Sequence, residues 1–327
     1  MEKLRFATRL NSFASKAHSY WPSIKGKPTI RQMIERASKV KGLTDVDLNY
    51  PQHLNEAPKE LGKFITDCGL NVNGMAMRYS TNPEFQLGAF THPDEKVRRE
   101  AIELTKRGID CGRELGTNLM TIWLGQDGFD YSFQADYNKI WDDLIYAFRE
   151  VAEYAPDCDI SIEYKPNEPR SFSILPDVST TLLAISDIGA KNIGVTLDFA
   201  HVLYADEMPA FAAAMIARRT KIMGLHLNDG YHKRDDGLMV ASANPKATLE
   251  LIWQLRKAGF DGAYYFDTFP DASGLDPVHE CEVNIQTVNQ LVKIADQLNS
   301  VDQLNVAIAN QDAVSSQGII NQFLLGR

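Results

Sequence analysis

Eight short apolar or alternating stretches recur along the chain, each followed by a longer segment in which apolar residues return every three to four positions. The short stretches are 4–10, 43–48, 70–79, 118–123, the run opening at Ile160, 193–197, 221–227 and 263–266. Their length and alternation predict strands. The intervening periodicity predicts helices over 29–41, 56–68, 92–116, 136–154, 175–188, 208–218, 246–258 and 278–298. Stop and start signals agree: Thr29 suits an N-cap, Pro93 a helix start, and Gly69 and Gly189 sit where helices should end. The segment 11–28, with Trp21 and several basic residues, reads as a loop. A last stretch, 301–325, has helical periodicity but no strand before it.

Strands that alternate with helices imply parallel pairing through crossovers. Eight such units favour an α/β fold of the closed (β/α)8 TIM-barrel type over an open sheet. No glycine-rich dinucleotide fingerprint follows an early strand, which argues further against the open alternative. The expected organisation is a barrel over 1–298 and a helical tail over 299–327.

Composition narrows the partners. With 327 residues and a formal charge of -9, the chain is a poor ligand for nucleic-acid phosphates. Its acidity favours a divalent cation instead. The four cysteines, Cys68, Cys111, Cys158 and Cys281, are scattered without metal or disulfide spacing, as expected of reduced thiols in the cytoplasm. The N-terminus shows no secretory apolar region, and no run is long enough for a membrane helix.

The chemistry lies where the later strands end. In ISIEYKPNEP, Glu163 and Lys165 are two residues apart and project to the same side. GVTLDFAH supplies Asp198 and His201, IMGLHLND supplies His226 and Asp229, and AYYFDTFP supplies Asp267. A lone aspartate at such a place is commonly a helix cap. Four acid or imidazole groups on four consecutive strands are harder to assign to capping. In a TIM barrel these carboxyl ends converge on the active site. Glu163, Asp198, His226 and Asp267 then form a hard, mostly oxygen site suited to manganese, magnesium or cobalt; zinc is less suited without thiolates.

These motifs, EYKPNEP, TLDFAH, GLHLNDG and YYFDTFP, resemble those of the xylose-isomerase-like TIM-barrel superfamily over nearly the whole barrel, most clearly from Asp159 onward. The resemblance implies a divalent ion, manganese foremost, held by Glu163, Asp198, His226 and Asp267. It also implies carbonyl chemistry on a sugar or hydroxyketone, with Lys165, His201, Glu163 and Asp267 as the catalytic set. His201 either contacts substrate or helps hold a second ion or water; packing on the next helix is the plainer alternative. Asp235 and Asp236 lie where the rhamnose-isomerase branch has second-metal carboxylates, or they belong to a solvated loop. The E-x-K pair is similar to that of aldose–ketose isomerases, and Asp267 departs from the glutamate that the tagatose-epimerase branch uses there. Arg9, Asn11, Asn49, Arg78 and Trp123 are expected around a polyol pocket, with Asp229 beyond strand seven as a further binding group and His232 either a lid residue or simply exposed.

The leading expectation is therefore a metal-dependent sugar isomerase or epimerase. The superfamily resemblance extends to C-glycoside deglycosidase large subunits, so a carbon–carbon lyase acting on 3-oxo-glycosides with a small β-rich partner is the alternative. The tail would serve such a hetero-oligomer or a homo-oligomer. The endonuclease relatives, rich in histidine, fit poorly with a chain of seven histidines and net negative charge.

Overall fold

Two kinds of residue alternate along each strand, and a ring is the arrangement that satisfies both. The computed structural model describes residues 4–14 and 17–326. Its strands are β1 (Phe6–Thr8), β2 (Asp45–Tyr50), β3 (Asn71–Met77), β4 (Leu119–Trp123), β5 (Asp159–Glu163), β6 (Ile193–Asp198), β7 (Ile222–Leu227) and β8 (Tyr264–Phe266). The helices between and after them are α1 (Ile30–Ala37), α2 (Pro58–Asp67), α3 (Glu95–Leu115), α4 (Tyr137–Tyr154), α5 (Val178–Ile188), α6 (Pro209–Arg219), α7 (Pro245–Ala258) and α8 (Pro277–Leu298). Neighbouring strands pair in parallel from β2 round to β8 and on to β1. Between β1 and β2 the ring is joined by the single Arg9–Asp47 bridge and by Thr44, whose backbone and hydroxyl both bond Phe6. The architecture is a nearly closed TIM barrel.

Outward positions such as Ile160, Ile162, Val195, Leu197, Leu225 and Leu227 are buried against the helices and form the main apolar core. Inward positions are small or polar. Ala7, Ala263 and Tyr265 make a separate cluster inside the ring, and Ser161 and Thr196, on the adjacent strands β5 and β6, hydrogen-bond at 2.5 Å. The register carries this parity round the barrel: Trp123 lies opposite Glu163, Glu163 opposite Thr196, and Asp198 opposite His226. Because strand side chains alternate faces, the residues that cap these inward ladders all open onto the same mouth.

Local signals fix the helices around the ring. Thr29 and Gln32 form a capping box at α1, and Asp94, Asp136 and Asp177 accept bonds from the first turns of α3, α4 and α5. The expected loop over 11–28 is in part helical, with a 3-10 turn at Leu10–Ala14 and a short helix at Ala17–Tyr20; Ser15 and Lys16 lie outside the described residues. A second departure follows β6. A helix, Phe199–Tyr204, begins at once because Asp198 is its N-cap and accepts from the His201 backbone. The tail is helical as expected and consists of α9 (Asp302–Ala309) and α10 (Ala313–Leu325), with the break at Gln311 in the left-handed region and Asp312 capping α10. α9 buries Leu304 and Ala307, while Lys246 ties α10 to α7 through Gln317 and Asn321. Among the described residues no helix is long and apolar enough to cross a membrane.

Gly224 shows how tightly the barrel interior is filled. A Cβ there would stand 2.4 Å from the Thr196 hydroxyl, which is already committed to Ser161. Gly224→Ala should therefore cost about 1–3 kcal/mol through overpacking, and adding Thr196→Ala should restore part of that. Urea denaturation of the single and double variants checks this, and equal midpoints for Gly224→Ala and the parent would contradict it.

Candidate metal centre

The tops of four adjacent strands converge on one point. Glu163, Asp198, His226 and Asp267 each offer a ligand atom, and these atoms lie within 4.8 Å of one another. Glu163, Asp198 and His226 are buried, and Asp267 is partly so. The His226 Nδ1 stands 3.2 Å from Glu163 Oε1 and 3.7 Å from Asp198 Oδ2. Donors on opposite sides of an ion at ~2.1 Å are roughly 4.2 Å apart, so the cluster needs little contraction to enclose one.

The electrostatics describe a site short of positive charge. Burial drives the Asp198 carboxyl well above its ordinary value, and the carboxylates of Asp235, Asp267 and Glu163 add to the rise against the opposing His201. Asp267 is raised likewise, by burial first. Burial would lower the His226 imidazole, but Glu163, Asp267 and Asp198 outweigh it and hold the ring up at about 9. Burial acts on Glu163 in the opposite sense to its neighbours, and the His226 and His201 charges keep its carboxyl low. An imidazolium thus supplies the counter-charge that a divalent cation would supply more fully. The donor set fits such an ion.

Surrounding groups lock the ligands. The Asn228 amide donates to both Asp198 oxygens at 3.2 and 3.1 Å, while its carbonyl accepts from the Ala200 backbone. His201 is held at both nitrogens, Nδ1 by the Tyr164 carbonyl at 3.0 Å and Nε2 by Asp235 at 3.1 Å. Both partners are acceptors, so the doubly protonated ring satisfies both. Burial opposes that charge, but Asp198 and Asp235 prevail and raise His201 to about 10. Lys165, only 7% exposed, lies between Glu168 (3.0 Å) and Asp235 (3.2 Å), 5.5 Å from the centroid of the Trp123 ring.

Above the cluster opens a cavity of about 490 Å³, walled by Arg9, Asn11, Arg78, Trp123, Lys165 and Glu168, among others. Arg9 stands 3.6 Å from Asp267 and lies over the Phe269 ring. A larger cavity of about 580 Å³ between α7 and the tail has mostly apolar walls and lies away from the ligand set.

Several expected site residues lie elsewhere. Asp229 is fully buried, and its carboxylate accepts from the Gly230, Ala243 and Asn244 backbones and from the Asn244 amide, so it organises the loop after β7 and has no face for substrate. Asn49 is buried too, and its amide donates to Gln52 instead of lining the cavity. Asp235 and Asp236 diverge: Asp235 lines the cavity, whereas Asp236 accepts from the Tyr231 backbone and Arg234. His232 is exposed, in the left-handed region, on the same loop. Asn228, Glu168 and His53 join the site without standing out in the sequence. Asn228 sits inside the LHLND run and Glu168 inside KPNEP, so motif position was a usable signal for both. His53 had none.

A family model described as a xylose isomerase-like TIM barrel matches residues 36–282, which take in β2 to β8 and all four cluster residues. The xylose isomerase of Thermus thermophilus is 30% identical over 223 residues, 66% of this chain and 58% of that protein. The chain thus spans 58% of the length of this curated relative. Among solved structures, an L-ribulose 3-epimerase superposes with a TM-score of 0.71 at 17% identity, over 91% of this chain and 98% of the other. The D-allulose 3-epimerase from Methylomonas sp., solved in complex with D-allulose, gives 0.67 at 13% identity, over 89% and 98%. At these identities the two structures speak for the fold.

The His53 ring makes the stability depend on pH. Its Nδ1 accepts from the Asn49 backbone at 3.0 Å, so the proton sits on Nε2 and is donated to Asn11 Oδ1 at 2.8 Å. Burial, helped by Arg78, Arg9 and Lys27, lowers this imidazole to about 3. The unfolded chain takes up the proton near ~6.5, so between these values the unfolded state holds the extra proton and stability falls as pH falls. The slope from this one group approaches about 1.4 kcal/mol per pH unit. His53→Gln should flatten the decline between pH ~6 and ~4, read from urea midpoints across that range; an unchanged slope would exclude His53 as its source.

Proposed function

The chain belongs to the xylose isomerase-like TIM-barrel family, and from that premise we propose that it is a divalent-metal-dependent isomerase or epimerase of a sugar or hydroxyketone. The observation that carries the proposal is the buried set of three carboxylates and one imidazole with ligand atoms within 4.8 Å. Glu163, Asp198, His226 and Asp267 would hold the ion, with manganese as the proposed occupant and magnesium or cobalt as substitutes, since oxygen donors predominate. When bound, the ion supplies Lewis-acid polarisation of a substrate carbonyl.

The protein's own groups account for the rest. Lys165 keeps its proton: burial would lower its pKa, but Asp235 and Glu168 raise it, so it serves as a hydrogen-bond donor to the developing oxyanion and not as a base. Trp123 gives one face of the sugar an apolar platform and shields the ammonium from water on that side. His201, fixed by Tyr164 and Asp235, presents a protonated ring beside Glu163 at 3.7 Å and steadies the anionic wall of the pocket. Asn228 orients Asp198 through both oxygens.

Three outcomes follow. Chelation should abolish turnover, and Mn²⁺ should restore it; full activity in the chelated protein would refute metal dependence. His226→Ala and Asp198→Asn should lose the ion while the circular dichroism of the barrel persists, and tight metal retention by either would remove that residue from the ligand set. Lys165→Met should retain the ion yet lose about 10²-fold or more in kcat. Running the parent enzyme on aldoses and ketoses in D₂O separates the routes. Product free of solvent deuterium means hydride transfer, and deuterium next to the carbonyl means proton transfer.

A further inference from the structure

Charges around the mouth of the barrel are segregated. The carboxylates of the cavity wall, Glu163, Glu168, Asp235 and Asp267, all come from the side built by β5 to β8. The side built by β1 to β3 contributes Arg9, Asn11, Gln52 and Arg78, with Ser80 and Thr81, and no carboxylate. Arg9 reaches across to Asp267, and Lys165 is paired with Glu168 and Asp235. Arg78 is different. Its backbone is fixed at the top of β3, donating to the Tyr50 carbonyl and accepting from the Thr81 hydroxyl. Its guanidinium is half-buried and has no ion pair or hydrogen bond among the described residues. A partly desolvated cation in a concave site without an acceptor is held at a cost.

Beside it, two amides have their oxygens already committed. Asn11 Oδ1 accepts the His53 Nε2 proton, an orientation set by the backbone donor on the opposite ring nitrogen, and Gln52 Oε1 accepts from Asn49. What remains for the cavity is their NH₂ groups, both donors. A second cavity of about 480 Å³ shares Asn11 and Gln52 with the first and is also lined by Lys27 and by Glu56, which Arg31 neutralises, so there is room for an appended group on this side.

We infer that the substrate is an anionic sugar derivative, whose carboxylate or phosphate is bound by the Arg78 guanidinium and the Asn11 amide on the β1 to β3 side of the mouth. The inference rests on the sugar reading proposed above. A planar guanidinium pairs with either oxyanion through two parallel hydrogen bonds, and the Asn11 and Gln52 amide NH₂ groups on the same wall add neutral donors. The negative charges across the cavity then repel the anionic end, which orients the sugar with its neutral, carbonyl-bearing end towards the ligand cluster.

The test is calorimetric titration of the Mn²⁺-loaded full chain with D-fructose, D-glucuronate and D-fructose 6-phosphate. At least one anionic probe should bind about tenfold or more tightly than D-fructose, and the two anionic arms tell carboxylate from phosphate. The advantage should shrink with added salt. Arg78→Gln should bring the anionic probe down to the affinity of D-fructose with no fall in thermal midpoint, since the cation it removes was held at a cost, and Arg78→Lys should retain part of the gain. Equal affinities for the three probes, an anion preference that survives Arg78→Gln, or no anion binding overturns the inference. The two readings also fail separately. Conversion of neutral sugars without gain from charge leaves the isomerase and removes the anion site, whereas Arg78-dependent anion binding without conversion of any sugar does the reverse.

Discussion

Mutual repulsion among buried carboxylates is the constraint on which the site depends. Glu163, Asp198 and Asp267 converge because the strand register leaves them no other direction, and the inside of the barrel offers no bulk water to disperse their charge. The protein answers with cations of its own: His226 against Glu163, His201 against Asp235, Arg9 against Asp267 and Lys165 against Asp235 and Glu168. Each of these pairs also fixes a side chain that the proposed chemistry uses. Charge balance and positioning are therefore the same set of contacts.

Asp198 illustrates how densely the roles overlap. One carboxylate ends β6, caps the helix that follows, receives two hydrogen bonds from Asn228 and stands in the ligand cluster. The helix at Phe199–Tyr204 exists because that cap is present, and it in turn carries His201 to Tyr164 and Asp235. A capping reading and a ligand reading of this residue are not alternatives. The cap uses Oδ1, and the aspartate still has an oxygen facing His226.

The polarity of the mouth has a similar economy. The β5 to β8 side gathers the acidic groups that hold a cation, while the β1 to β3 side gathers donors. Buried His53 links the two tasks by staying neutral, since its single ring proton is what turns the Asn11 amide towards the cavity. The inside layer of Ser161, Thr196 and Gly224 keeps the barrel floor small enough for this arrangement to sit at its rim.

The sequence by itself determined the eight strand–helix units and the four cluster residues. Both are local: hydrophobic alternation reports which face a strand buries, and each cluster residue sits at the end of its own strand, so parity alone sends it to the mouth. Only the tertiary structure decided which nearby polar groups are free. Asp229 and Asn49 were equally plausible at the pocket, yet Asp229 is consumed by backbone donors of residues 230, 243 and 244, and Asn49 by Gln52. Asn228, His53 and Arg78 look in the sequence like any other polar residues, for the matching reason. Their importance lies in which partner meets them, Asp198 for Asn228 and Asn11 for His53, or, for Arg78, in none meeting it among the described residues, and partners 30 and 42 residues away are set by the tertiary structure even where a motif marks the residue itself.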